Sequence, residues 1–132
     1  MSQQVKTTFE IRSWDESPID ETEGGTKLAR ASVVKAYTGG LEGEGRVEQI
    51  ACSRPDGSAV FTALERFRGR IGDREGGFVM RHEGTFANGK VDSVWTVIPG
   101  SGTGDLADIR GEVEFASGHA PRYDVTFALS FG

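Results

Sequence analysis

Two titratable side chains interrupt apolar faces in neighbouring segments of the chain. Glu65 shares its face of the segment 58–71 with apolar residues, and His82 does so in the segment 78–86. An ionised carboxylate on an apolar face is costly unless it is paired or hydrogen-bonded, and burial by itself raises its pKa. Histidine titrates near neutral pH, so the two side chains together have the chemistry of a general acid and base.

Both residues also have structural interpretations. Glu65 could form an ion pair with an inward arginine such as Arg30, or a bulge could reverse the face on which it lies. His82 could be a core histidine that hydrogen-bonds to a neighbour and does no chemistry. Sequence alone leaves these interpretations open beside the catalytic one.

The other predicted site residues are ligand contacts on the same strands. The two tryptophans could wall a cavity, although aromatic residues on strands more often belong to a core. The predicted site has Glu65 and His82 as catalytic residues, and its ligand contacts are Trp14, Arg30, Ser32, Gln49, Phe61, Met80 and Trp95.

Three further patterns carry no chemistry. Cys52 has no evident activating base and no second cysteine, so we expect neither a catalytic thiol nor an internal disulfide. Gly100–Gly104 lacks the Lys-Ser/Thr ending of a phosphate loop and the Gly-x-Ser-x-Gly spacing of a nucleophile elbow. No Cys and His spacing resembles a zinc site. We therefore predict no metal site.

Alternation of apolar and polar residues with a period of two predicts that β-strands carry these residues. Strand patterns cover 5–14, 27–38, 41–52, 58–71, 78–86, 91–98, 112–115 and 123–131. The acidic segment 15–25 is rich in turn formers and lacks the ligand spacing of a calcium loop, which predicts a solvated loop. Asp56-Gly57 and Asn88-Gly89 are typical hairpin turns.

The segment 27–38 is apolar on both faces, which predicts that its outward side is covered by a loop or by a neighbouring subunit. We expect a subunit interface formed by Ala29, Ala31, Val33, Tyr37, Val94 and Ile98. The last strand is also strongly apolar, and pairing it with the first strand would remove an aggregation-prone edge. The sequence thus predicts an all-β fold, a single antiparallel eight-stranded up-and-down β-barrel over residues 1–132.

The segment 99–111 is the one long connection among tight turns. It contains Pro99-Gly100 and a short apolar stretch that predicts one helical turn near 105–110. We expect this segment to cross or plug one end of the barrel and to act as a lid over the interior.

Composition limits the function classes. The 132 residues carry a net charge of −5 with basic and acidic residues interspersed, which argues against nucleic acid as a partner. The start of the chain has no apolar signal region, and no apolar run of membrane-spanning length follows. We expect a soluble, cytoplasmic protein without a membrane partner.

Several stretches resemble one bacterial family in the same order along nearly the whole chain: Phe9–Glu16, Leu28–Ser32, Leu41–Gly45, Leu64–Arg66, Gly84–Phe86 and Pro99–Leu106. That family is domain of unknown function 3224, and it is similar to barrels of the allene-oxide-cyclase type. The resemblance implies a homo-oligomer, and it implies a barrel that holds a small hydrophobic molecule without a cofactor. The resulting hypothesis is a small-molecule-binding barrel with cofactor-free isomerase or cyclase activity. The alternative is a non-enzymatic oligomeric module with a filled barrel.

Overall fold

Nine β-strands form the structure, which is a computed structural model that describes residues 2–132. Their bounds are β1 Gln3–Glu21, β2 Lys27–Gly39, β3 Leu41–Ser53, β4 Ala59–Ile71, β5 Arg74–Ala87, β6 Lys90–Val97, β7 Thr103–Gly104, β8 Arg110–Ser117 and β9 Tyr123–Ser130. Within the described range, no helix is long and apolar enough to cross a membrane.

The strands close into a single antiparallel barrel. The sheet order is β4-β3-β2-β1-β9-β8-β6-β5, and pairing of β4 with β5 completes the ring. The last strand pairs with the first from Gln3↔Leu129 to Phe9↔Tyr123. The predicted eight-stranded up-and-down barrel is therefore confirmed, and the two-residue strand β7 is an addition on the end of β5.

Strand β1 is longer than the sequence predicts. Instead of a solvated loop over 15–25, β1 continues to Glu21 and pairs with β2 as far as Glu21↔Lys27. In the described chain, β1 beyond Phe9 has a ladder partner on one side only, and such an edge tolerates the missing N–H of Pro18. Register shifts at Ile11/Ser13 and Pro18/Asp20 absorb the irregular residues. Pairing with β2 outweighs the loop-like composition.

The residues of β2 that the sequence assigns to an outward subunit interface face the barrel interior. Ala31, Val33 and Tyr37 are 2%, 3% and 2% exposed and face the barrel interior, so their assignment to a subunit interface is wrong. The outer positions include Arg30, which donates to Glu48 across the β2–β3 pair. The interior of an eight-stranded barrel needs apolar residues from every strand, and β2 supplies its small ones.

The segment between β6 and β8 closes one end of the barrel. Leu106 and Ile109 are each 1% exposed, and they join the core cluster that contains Phe67 and Phe78. Hydrogen bonds from Leu106 N–H to Thr103 O (3.0 Å) and from Ile109 N–H to Leu106 O (3.2 Å) form two successive tight turns where the sequence predicts one helical turn. The predicted plug is thus confirmed.

The ring has one weakly paired seam. Strands β8 and β9 pair only from Arg110↔Ser130 to Glu112↔Ala128, near the plugged end. Beyond this stretch the two strands have no ladder between them within residues 2–132, and side chains fill the gap instead. Phe115 and Tyr123 pack across it with ring centroids 6.0 Å apart.

Candidate functional site

A cavity of about 480 Å³ opens at the end of the barrel opposite the plug. Inward-facing residues of all eight barrel strands line it, and its rim is formed near the β3–β4, β5–β6 and β8–β9 connections. Its aromatic lining consists of Phe9, Trp14, Phe61, Phe86, Trp95, Phe115 and Tyr123. No residue of the segment 99–111 lines the cavity, so the prediction that this segment is a lid over it is wrong.

Small side chains on one wall create the space. Ala31, Val33, Val47 and Ala63 form a separate small cluster on β2, β3 and β4, whereas the large aromatic and aliphatic residues pack at the plugged end. Close packing of protein interiors means that a wall of short side chains leaves room unless a bulky residue faces it. Val33 and Val47 of this cluster line the cavity, together with the short side chains of Ala51 and Ala59.

A buried carboxylate lies beneath the floor of the cavity. Glu65 is 0% exposed, and its Oε1 is 2.9 Å from Lys35 Nζ. The hydroxyl of Tyr37 donates to Glu65 Oε2 over 2.6 Å. A β-carbon on Gly45 would overlap Glu65 Oε2, so the glycine makes room for this group. Glu65 itself does not line the cavity. Its partners Lys35 and His82 do line the cavity.

The electrostatics of the floor favour an ionised Glu65. Burial raises the pKa of Glu65, but the Lys35 charge, His82 and the Tyr37 hydroxyl outweigh it and lower the pKa from 4.5 to about 2. Burial, followed by the neighbouring carboxylate, raises the pKa of Tyr37 well above its usual value. Tyr37 is thus a neutral donor and Glu65 a charged acceptor at physiological pH.

His82 is the member of the cluster that borders both the carboxylate and the cavity. Its Nε2 is 2.9 Å from Glu65 Oε1, which is within hydrogen-bond distance but outside the preferred hydrogen-bond angles. Among residues 2–132, Nε2 has no partner with hydrogen-bond geometry. Burial lowers the pKa of His82, with Glu65 opposing and Lys35 adding to the effect, so the imidazole is neutral near pH 7.

Lys35 lies between two aromatic faces on the cavity floor. Its Nζ is 4.4 Å from the ring centroid of Phe9 and 4.3 Å from that of Trp95. Trp95 in turn stacks on His82 with centroids 4.4 Å apart, and its Nε1 donates to Ser93 Oγ over 2.9 Å. Cation–π contacts stabilise a desolvated ammonium. The floor therefore holds its cation in a fixed position.

The structure brings most of the predicted site residues together. His82, Trp14, Gln49, Phe61 and Trp95 line the cavity, with Glu65 directly below. Met80 is 0% exposed in the core and is not part of the lining. Arg30 and Ser32 lie on the outer face of β2, so neither contacts the cavity, and the ion-pair partner of Glu65 is Lys35 rather than Arg30.

Sequence reasoning missed Lys35, Tyr37 and Ser93 as site residues. Lys35 alternates with Val33 and Tyr37 on β2, so the period of two carries the signal for an inward lysine. Ser93 likewise alternates with Val91 and Trp95 on the inward face of β6. In the part of the chain that the structure describes, no group of three His, Cys, Asp or Glu side chains is positioned to hold a metal ion.

Comparisons with known proteins agree with the fold. The model of a family described as "Protein of unknown function (DUF3224)" matches residues 5–129. A similar solved structure is a protein of unknown function from the DUF3224 family from Shewanella oneidensis MR-1. It is 26% identical with a TM-score of 0.82, and the match covers 100% of this chain and 98% of that chain. No curated protein matches the chain.

Proposed function

We propose that this chain, which belongs to the DUF3224 family of proteins of unknown function, binds a small, mainly apolar molecule at the open end of its barrel. The observation that carries the proposal is the cavity of about 480 Å³. Small-molecule sites in proteins typically enclose roughly 300–1,000 Å³, with apolar walls and a few convergent polar groups. Here the walls are aromatic and aliphatic, and the polar groups lie together on the floor.

Exposed aromatic residues at the rim support the same proposal. Trp14 is 51% exposed and Phe86 is 38% exposed, and both line the cavity. An apolar ligand in the cavity would remove part of these surfaces from water, and such burial favours binding. Aromatic side chains at the mouth also provide stacking surfaces for a planar ligand.

Equilibrium dialysis with 2-ethylnaphthalene and 2-acetylnaphthalene tests the binding function. Ala51 lines the cavity, so Ala51→Phe should fill it and weaken binding by at least about tenfold, or roughly 1.4 kcal/mol. Ile50→Phe is the matched control, because residue 50 is 50% exposed on the outer face of the same strand. Equal binding by both variants, or no binding by the wild-type protein, would contradict the proposal.

A cofactor-free isomerase or cyclase activity is a second candidate function. The observation in its favour is a neutral imidazole, His82, on the cavity floor beside the Lys35 ammonium. In this mechanism His82 removes a proton from the carbon next to a carbonyl, Lys35 stabilises the enolate oxygen, and Glu65 acts through both. The likeness to allene-oxide-cyclase-type barrels remains a hypothesis that agrees with such chemistry.

Deuterium uptake tests the catalytic candidate. The methyl group of 2-acetylnaphthalene lies next to its carbonyl, so an enzyme with this chemistry would exchange those hydrogens for deuterium in D₂O. Mass spectrometry should show uptake with the wild-type protein and a loss of at least about a hundredfold with His82→Gln. Uptake at the buffer rate by the wild-type protein would reject catalysis on this class of ketone and leave binding untouched.

The oligomeric module remains the alternative from a different class. The cavity argues against its filled barrel, and only Val94 and Ile98, at 48% and 36% exposed, remain as large outward-facing members of the predicted interface. Homo-oligomerisation and a cytoplasmic location thus stay predictions. Sedimentation at micromolar concentration, with Val94→Glu as the perturbed surface, separates a dimer or larger assembly from a monomer.

A further inference from the structure

We infer, on the basis of the proposed binding function, that the ligand is electrically neutral and carries a carbonyl-type oxygen that accepts a hydrogen bond from Lys35 Nζ. Such a ligand has an apolar body with a ketone, aldehyde, ester or amide group. Its apolar body lies between the aromatic walls, and its oxygen lies at the floor of the cavity.

Lys35 Nζ has N–H donors that are available to a ligand. An ammonium group has three N–H donors, and one of them is directed at Glu65 Oε1 over 2.9 Å. The group lies against the Phe9 and Trp95 faces and is part of the cavity lining. Rings accept N–H groups weakly, so a ligand oxygen is a better partner for a donor that faces the cavity.

The charged groups at the floor of the cavity balance one another. The Lys35 ammonium is paired with the Glu65 carboxylate, and His82 is neutral, so the cluster has no net charge. A carboxylate ligand would bring an additional negative charge beside Glu65 into a buried site, which is unfavourable. Glu16, which lines the mouth, would repel an anion as well. A neutral acceptor gains the Lys35 hydrogen bond without either penalty.

Ser93 provides a second donor in the cavity lining. Its Oγ accepts from Trp95 Nε1, and this bond leaves the hydroxyl's own hydrogen for another acceptor. Ser93 is 8% exposed and lines the cavity, so this hydrogen is free to reach a ligand oxygen. Lys35 and Ser93 both contact Trp95 and both line the cavity, and a carbonyl oxygen has two lone pairs that can accept from two donors.

Three probes of one shape test the inference by equilibrium dialysis at pH 7. They are 2-ethylnaphthalene, 2-acetylnaphthalene and 2-naphthoate, which present a hydrocarbon, a neutral carbonyl and a carboxylate on the same ring system. With the wild-type protein, 2-acetylnaphthalene should bind at least about tenfold more tightly than either of the other two. Ser93→Ala should reduce the ratio of the affinity for 2-acetylnaphthalene to that for 2-ethylnaphthalene by about threefold or more, while the affinity for 2-ethylnaphthalene itself changes little.

Glu65→Gln provides the decisive variant, because it retains the shape of the side chain and removes the charge that compensates Lys35. The variant should gain affinity for 2-naphthoate by at least about tenfold relative to 2-acetylnaphthalene. Equal wild-type binding of the hydrocarbon and the ketone, or tighter binding of the carboxylate, would overturn the inference and leave the binding function intact. Failure of all three probes to bind would overturn the binding function and the inference together. If Glu65→Gln does not fold, the wild-type ranking and Ser93→Ala decide the question.

Discussion

Replacement of Glu65 by glutamine measures how much the Lys35–Glu65 ion pair under the cavity contributes to the free energy of unfolding. Glu65→Gln leaves the Lys35 ammonium buried without a counter-ion. In the folded protein burial raises the pKa of Glu65, but its partners more than reverse this and lower the pKa from 4.5 to about 2. At roughly 1.4 kcal/mol per pKa unit, the lowering corresponds to about 3 kcal/mol of stability. Removal of one partner from a buried ion pair typically costs roughly 3–5 kcal/mol, a similar magnitude.

The sign of the pH dependence follows from the direction of the pKa shift. Because the folded-state pKa of Glu65 is lowered, its stabilising contribution is fully present above pH 4.5 and is lost as pH falls toward about 2. Below that pH the wild-type side chain is protonated and neutral, as glutamine always is. The difference in unfolding free energy between wild type and Glu65→Gln should therefore be about 3 kcal/mol at pH 7 and shrink toward zero near pH 2.

Urea unfolding at several pH values between 7 and 2 measures this difference, with tryptophan fluorescence as the signal because Trp95 is buried beside the cluster. Glu48→Gln is the matched control. Glu48 pairs with Arg30 on the outer surface, where ion pairs contribute little, so its replacement should leave the unfolding midpoint nearly unchanged. A Glu65→Gln penalty that stays the same from pH 7 to pH 2 would refute the assignment of the stability to the charge of Glu65.

Two other replacements test the support of the site and the role of the plug. Gly45→Ala places a β-carbon against Glu65 Oε2 and the Tyr37 ring, and we expect a loss of about 1–3 kcal/mol in urea unfolding. Glu44→Ala changes an outward-facing neighbour, and an unfolding free energy close to that of the wild type would confirm that the effect of Gly45→Ala is local. Leu106→Ala should cost about 2–5 kcal/mol because the side chain is 1% exposed in the plug. The affinity for 2-acetylnaphthalene should stay unchanged, since the plug is at the other end, and a parallel loss of affinity would contradict that separation.

The inward face of most strands was predictable because alternation is a local property. Glu65 and His82 could be placed on one interior surface before the structure was known, since β4 and β5 form a hairpin whose register aligns Ala63 with His82. The apolar last strand likewise indicated closure of the barrel, and β9 does pair with β1. Such predictions depend on neighbours in sequence, which a single chain displays directly.

The contents of the floor were not predictable to the same degree, because they depend on contacts between distant residues. Lys35 has the charge and length of a surface residue, and only its partners on β4, β1 and β6 make its burial favourable. Arg30 has the charge that a partner of Glu65 needs, but it lies on the outer face of β2 and pairs with Glu48. The acidic residues after Trp14 have the composition of a loop, but they pair with β2 and therefore continue β1 as a strand.

The seam between β8 and β9 has a mechanical consequence for the barrel. The barrel resembles a rolled sheet that can loosen along the line between β8 and β9, because the ladder there covers only a short part of the two strands. Its rings, Phe115 and Tyr123, also form part of the cavity wall, so a small parting there would widen the cavity sideways. Segments with few backbone hydrogen bonds open at low free energy. The barrel is thus compliant where its cavity meets the seam, and a ligand of the proposed class would gain a lateral route besides the mouth if the seam parted.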